Sequence, residues 1–183
     1  IVAPQTKGSG AAVPMRRVLT HRPVAITALV VIAGGGTIAM LEPVIPLVMQ
    51  SRLGLGPAAI GTLFGIAAVA STTMHPIYGR LSDRWGGRRL MMTGLAASAF
   101  VLPLLNFATD FRSAAFAMVP MWIVFSMIVT PSLAYMAEVA SAAGFGAYGV
   151  VYGVYNMAWA VGLMIAPALG GFLLERVGFE ALT

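Results

Sequence analysis

Glu42 is the one acid well inside a long apolar stretch of this sequence, set between Met40-Leu41 and Pro43-Val44. An ionised side chain at the centre of a bilayer costs roughly 2.5–3.5 kcal/mol on insertion scales. Apolar surroundings disfavour the charged form of a carboxyl group. A carboxyl so placed can take up and release a proton as its surroundings change, so Glu42 is the expected proton-coupling residue. Counted from Val24 it lies about 27 Å along a helix, and the competing reading is a Glu close to the far water interface.

A second set of groups follows helical spacing. Tyr148, Tyr152, Tyr155, Asn156 and Trp159 recur at three-, four- and seven-residue steps, and Trp122, Ser126 and Thr130 form a shorter stripe. Aromatic ring faces attract cations, so these stripes suit the wall of a cavity for an aromatic or cationic compound. Tyr152, Tyr155, Asn156, Trp159, Trp122 and Ser126 are the expected substrate-binding residues. The alternative is an interfacial aromatic belt for Tyr148 and helix packing for the rest. His75 precedes Pro76, and a lone His is more often a packed residue than a ligand. The chain has no Cys and two His. No metal-ligand spacing, nucleotide-binding loop, nucleophile motif or paired carboxylates occur, so neither a metal, a cofactor nor an enzyme activity is expected.

The elements that carry these residues follow from charge. Of 183 residues, 59% are hydrophobic and 9% charged (11 Lys+Arg, 6 Asp+Glu), against about 25% charged in a soluble domain. This excludes a disordered chain, a coiled coil and an ordinary soluble enzyme. No Asp, Glu, Lys or Arg occurs at 23–41, 53–79, 90–109, 113–137 or 139–174. A membrane-spanning helix needs about 20 mostly apolar residues. The spacing predicts helices over 24–50, 58–79, 90–108, 113–137 and 147–173. Leu53-Gly54-Leu55-Gly56-Pro57, Thr109-Asp110-Phe111-Arg112 and Ser141–Gly146 are the expected links. Glu175-Arg176-Val177-Gly178 reads as a loop before the first residues of a sixth helix.

Residues 1–23 read as a linker and basic flank, and 24–183 as the transmembrane part. The chain begins at Ile1 with no signal-peptide pattern, and is expected to be a piece of a longer protein. Lys7, Arg16, Arg17, Arg22, Arg80, Arg84, Arg88 and Arg89 fall on one side of such a topology, and Arg52, Arg112 and Arg176 on the other. Positive residues stay cytoplasmic, so the N-terminal segment and the 80–89 loop are expected in the cytoplasm, with the chain multi-pass in a cell (inner) membrane. The net charge of +5 is thereby explained without a nucleic-acid partner.

Three motifs carry a family resemblance over about Arg16 to Thr183. Gly79-Arg80-Leu81-Ser82-Asp83-Arg84-Trp85-Gly86-Gly87-Arg88-Arg89 resembles the G-x-L-x-D-R-x-G-R-R loop of the major facilitator superfamily of transporters, with Gly87 where an Arg is usual. Gly153, Gly162, Ala166-Pro167 and Gly170-Gly171 resemble the G-x8-G-x3-G-P-x2-G-G signature of its drug:proton antiporters, with Ala166 replacing one Gly. Leu41-Glu42-Pro43-Val44-Ile45-Pro46 resembles an L-E-P-x-x-P element of vesicular amine transporters and bacterial drug antiporters. Those amine transporters carry an Asp where this chain has Asn156, and another near Ser126.

The resemblance implies an all-α membrane fold: helices seven to eleven and the start of twelve, half of a twelve-helix transporter. It implies proton-coupled antiport of a small organic or drug-like compound by alternating access. Gly79, Asp83, Arg84, Gly86 and Arg88 would form a conformational latch, and Gly153, Gly162, Pro167, Gly170 and Gly171 would pack and kink a helix. The implied partners are lipid, a small-molecule substrate, protons and the N-terminal half. The competing readings are proton-coupled uptake of a sugar or organic acid, and a non-transporting scaffold of the same fold.

Overall fold

The computed structural model describes residues 14–144, 148–181 and 183. The expected linker up to residue 13, with Lys7, and the end of the 141–146 link (145 and 146) lie outside the described residues. Among those described there is no strand. Six α-helices follow in order: α1 (Met15–Leu19), α2 (Arg22–Leu53), α3 (Pro57–Trp85), α4 (Gly87–Val101), α5 (Phe111–Ala142) and α6 (Tyr148–Val177). Short 3-10 helices cover Leu102–Phe107 and Phe179–Ala181. Five stretches are long and apolar enough to cross a membrane, the third being α4 with its 3-10 extension, Gly87–Phe107.

Local chemistry sets the helix ends. Gly54 terminates α2 at φ +63°, a left-handed conformation that costs an L side chain energy but not glycine. Pro57 then opens α3 at its first position, where a missing N–H is harmless. Asp110 caps α5: it accepts from the Ser113 amide at 2.8 Å, while the Ser113 hydroxyl accepts from the Asp110 amide at 2.9 Å. The Ser113 hydroxyl, with the amide behind it, holds the Asp110 carboxyl below its ordinary pKa. The third predicted helix does not run to 108 as one α-helix. Pro103 offers no N–H to continue the α pattern, and the chain tightens into the 3-10 turn.

The helices also extend beyond the charge-free stretches that predicted them. Arg80, Asp83 and Arg84 continue α3, Arg112 and Glu138 lie on α5, and Arg176 lies on α6. The expected 80–89 loop is therefore corrected. Six of its residues are the last turns of α3, Gly86 alone breaks the helix at φ +86°, and α4 begins at Gly87. A charge marks where lipid gives way to water, whereas the helix ends only where a backbone feature stops it.

Packing sorts the helices into two parallel pairs joined at α5. α2 lies along α6, α3 lies along α5, and α4 packs along α5 as well, with Gly87 against Pro131 and Tyr135 and Gly94 against Ile128. One core cluster gathers Leu41, Ile45 and Met49 of α2, Leu63 of α3, and Met118, Met121 and Phe125 of α5. A second gathers Val24 and Val31 of α2, Met136 of α5, Val151 and Val154 of α6, and Val18 of α1. Lipid tails are as apolar as these side chains, so helix association here depends on close packing and on hydrogen bonds rather than on escape from water.

Candidate functional face

The α2–α6 contact is made by backbone. A Cβ added at Gly162 would lie 2.9 Å from the Ile32 carbonyl oxygen and 3.0 Å from the Gly36 nitrogen. One at Gly170 would lie 2.6 Å from Met40 Cγ and 2.9 Å from the Met40 oxygen. Gly162, Ala166 and Gly170 are buried at four-residue spacing, which lets the two helices approach. The glycines of the signature are not equivalent, however. Gly153 has only Met15 Cε at 3.8 Å, and nothing lies within 4 Å of a Cβ at Gly171. Pro167 sits inside α6, half-buried. The answering surface on α2 is Gly35 and Gly36, while Gly34 faces Ile128 of α5; the three consecutive glycines carry no role in the sequence analysis.

Trp159 belongs to this seam. A Cβ on Gly35 would come within 2.5 Å of the Trp159 ring, so the indole lies flush against the α2 backbone. Tyr155 stacks edge-on to it at 6.5 Å and 61°, is itself buried, and shares a 2.8 Å hydrogen bond between its hydroxyl and that of Ser132 on α5. The structure therefore makes Tyr155 a packing residue between α5 and α6 rather than part of an open wall. Ser126 is likewise buried and donates to the Ile123 carbonyl at 2.7 Å. Of the α6 stripe, Tyr148, Tyr152 and Asn156 remain exposed at four-residue steps, with the Asn156 amide donating to the Tyr152 carbonyl at 2.9 Å.

Glu42 does not enter the bundle interior. Leu41, Val44 and Ile45 take the packed side of α2, and Glu42 is exposed beside them. It follows Gly35 by seven residues, two helical turns, and so lies on the side of α2 that carries Trp159. There it edges a narrow crevice together with Ile38, Phe64 and Trp122. Phe64 of α3 meets Trp122 of α5 edge-to-face at 6.3 Å and 74°. The Trp122 indole Nε1 is buried with no hydrogen-bond partner among the described residues. Buried donors are almost always satisfied, so this N–H marks a place where an acceptor is lacking. Phe64 lay outside the sequence reading, because nothing in its spacing relates it to a tryptophan on a different helix.

A second contact joins α3 and α5 further along. His75 is exposed and its Nδ1 lies 2.7 Å from Thr130 Oγ1. His75, expected as a packed residue, is instead exposed with a partner on the stripe of Trp122, Ser126 and Thr130.

At the end of α3, Asp83, Arg84, Gly86 and Arg88 are exposed and Gly79 is half-buried. Asp83 makes no ion pair with Arg84 or Arg88. Gly87, the departure from the family pattern, is buried against α5: a Cβ there would meet Tyr135 Cβ at 3.1 Å and Pro131 Cβ at 3.6 Å. A side chain at this position would have to displace the Tyr135 side chain by at least a few tenths of an ångström, so glycine suits the close contact. No group of three or more His, Cys, Asp or Glu suited to a metal occurs among the described residues. A cleft of about 440 Å³ lies elsewhere, between α2, α4 and α5 beside Arg22, Arg88 and Tyr135. It includes none of the expected substrate-binding residues.

Comparison with known proteins follows the same lines. The family model of the Major Facilitator Superfamily matches residues 27–182. The chain is 27% identical over 176 residues to the mouse MFS-type transporter SLC18B1, covering 90% of this chain and 38% of that protein. It is 30% identical over 157 residues to an uncharacterized MFS-type transporter of Methanocaldococcus jannaschii, covering 85% and 38% respectively. It is 23% identical over 145 residues to the rat chromaffin granule amine transporter, covering 79% and 28%. The chain thus spans well under half the length of these relatives.

Proposed function

This chain belongs to the major facilitator superfamily, a multi-pass membrane family, and on that premise we propose that it forms the C-terminal half of a proton-coupled exporter of small organic compounds. In this reading α2 to α6 are helices seven to eleven, and Phe179 onward begins the twelfth. The N-terminal half supplies the opposite wall of the cavity. The N-terminal segment and the α3–α4 turn face the cytoplasm, in keeping with the excess of arginine there.

The observation that carries the proposal is the shared crevice of Glu42 and Trp122. A carboxylate, an unpartnered indole N–H and the Phe64 ring converge from three helices. The carboxylate attracts a cationic or hydrogen-bonding cargo, and the ring faces add cation–π attraction. Protonation removes that charge. Proton and cargo then exclude one another at Glu42, and a carrier that reorients only with Glu42 occupied exchanges one for the other. The α2–α6 seam moves as one body in this scheme, and the exposed Asp83 and arginines at the α3 end supply charges for a contact with the other half. The names of the amine-transporting relatives agree with an amine-like cargo.

The test is flux in proteoliposomes holding the full-length transporter. An imposed pH gradient should drive uptake of an organic cation into vesicles in exchange for protons. Glu42→Gln keeps the shape and removes titration, and should abolish gradient-driven flux while leaving cargo binding measurable. Full gradient-driven flux in that variant excludes Glu42 as the coupling group. Co-transport of a sugar or organic acid with protons would select the uptake alternative, and no flux of any solute the scaffold alternative.

A further inference from the structure

We propose that the cleft of about 440 Å³ between α2, α4 and α5 binds one anionic phospholipid, with its phosphate held by Arg22 and Arg88 and an acyl chain laid along the apolar wall behind them. The inference uses the membrane-spanning reading alone, and it stands whether or not the chain carries a cargo.

The shape comes from where two helices begin. Arg22 is the first residue of α2 and Arg88 the second of α4, so both charges sit at one end of the cleft. Tyr135 of α5 packs against Gly87 and lines the cleft beside Arg88. Behind the arginines the lining turns apolar on both helices at once: Ile26 and Val30 on α2, and Met91, Met92 and Leu95 on α4. At 1.5 Å of helix per residue, Arg22 to Val30 spans about 12 Å and Arg88 to Leu95 about 10 Å. Half of a bilayer's hydrocarbon core is about 15 Å. A charged mouth followed by an apolar slot of that depth has the outline of one lipid in one leaflet. The two methionines suit such an occupant, because their unbranched thioethers adapt to irregular shapes.

The charges choose the occupant. Arg22 and Arg88 are exposed, and neither has an acidic partner among the described residues. The first turns of α2 and α4 contain no acid either. A guanidinium presents a planar fork of donors that matches phosphate geometry. The Tyr135 hydroxyl has no partner among the described residues and adds a further donor. Basic pockets between membrane helices bind anionic lipid head groups in this way. A further helix would meet the apolar wall equally well, but an occupant that ends in an anion answers both arginines. The same two charges repel a cationic cargo, and Arg22 stands twenty residues, about 30 Å, from Glu42 along α2.

Two measurements on the full-length transporter test this. In the first, delipidated protein in detergent is offered phosphatidylglycerol or phosphatidylcholine, and bound lipid is counted by native mass spectrometry. Phosphatidylglycerol should bind the more tightly. An arginine beside an anionic lipid carries about a fivefold factor. Arg22→Gln and Arg88→Gln should therefore each weaken phosphatidylglycerol about fivefold, and together about thirtyfold, with phosphatidylcholine unaffected. Arg16→Gln with Arg17→Gln removes the same charge from exposed positions of α1 outside the cleft and should leave the affinity unchanged. Equal losses from the two pairs, or no preference in the wild type, would overturn the site. The second measurement reads position. Leu29→Cys, exposed one turn beyond Ile26, carries a fluorophore in phosphatidylcholine nanodiscs. Phosphatidylglycerol with a doxyl group on its acyl chain should quench it more than doxyl phosphatidylcholine at the same mole fraction, and Arg22→Gln with Arg88→Gln should remove the difference. Equal quenching by both lipids would make the cleft ordinary bilayer contact. Quenching by neither would mean that another helix covers it, and either result overturns the proposal.

Discussion

The two parallel helix pairs are joined in different ways. Between α2 and α6, glycine meets backbone: Gly162 lies against Ile32 and Gly36, and Gly170 against Met40. Between α3 and α5, side chain meets side chain: Phe64 on Trp122, and His75 on Thr130. A backbone seam has no rotamers to change and no charge to titrate, so it transmits motion as a rigid unit. A side-chain seam has rotamers that can re-pair. In the transport reading proposed above, proton and cargo would therefore bind where α3, α5 and the Glu42 side of α2 meet, while the glycines hold α6 against α2.

The largest effect should come from breaking the rigid seam. Gly162→Leu places a branched side chain where a Cβ alone already meets main-chain atoms within 3.0 Å. Overpacking typically costs 1–3 kcal/mol, and rigid backbone on the far side offers little relief. The variant is expected to lose most of its folded yield and several degrees of thermal stability in detergent, read by fluorescence-detected size exclusion. Gly171→Leu is the control, since open space surrounds that position; it should behave like the parent. Equal damage from both would dissolve the distinction between the seams.

A smaller effect is expected at the adaptable seam. Trp122→Phe keeps the aromatic contact with Phe64 but removes the unpartnered N–H. Stability should hold or rise slightly, because an unsatisfied buried donor is lost. Binding of an organic cation that carries an acceptor should weaken about three- to tenfold, the size of one hydrogen bond. Unchanged affinity by calorimetry would make Trp122 a packing residue and nothing more.

The smallest effect should come from the link between the seams. Tyr155→Phe removes the hydroxyl shared with Ser132, yet the Ser132 hydroxyl still donates to the Val129 carbonyl at 2.7 Å. The loss should be about 0.5–1 kcal/mol, the range measured for interhelical hydrogen bonds in membranes. It should appear as a Tm shift with unaltered flux. A flux defect without a Tm shift would return Tyr155 to the substrate wall.

Much of the architecture was legible in the sequence. Charge-free stretches located five spans, because lipid excludes ions whatever the tertiary fold. Gly54-x-Gly56-Pro57 located a tight turn, because positive φ and a missing N–H are local properties. Gly162, Ala166 and Gly170 announced close packing, because small residues at four-residue spacing share one side of any helix. The cap of α5 came from the structure: Asp110 was expected only as part of a link, and its pairing with Ser113 is a contact of the folded turn.

Only the tertiary structure decided which partner each side chain meets. Tyr155 and Asn156 are neighbours in sequence with equal claims to a cavity, and packing buries the first against Ser132 while leaving the second exposed. Glu42 lies in the apolar stretch the sequence indicated, but on the open side of α2, a matter of which flank α5 and α6 occupy. Phe64 beside Trp122 and His75 beside Thr130 are pairs 58 and 55 residues apart along the chain. Helical periodicity fixes a residue's direction from its own axis; the position of the next axis depends on all the helices packing at once.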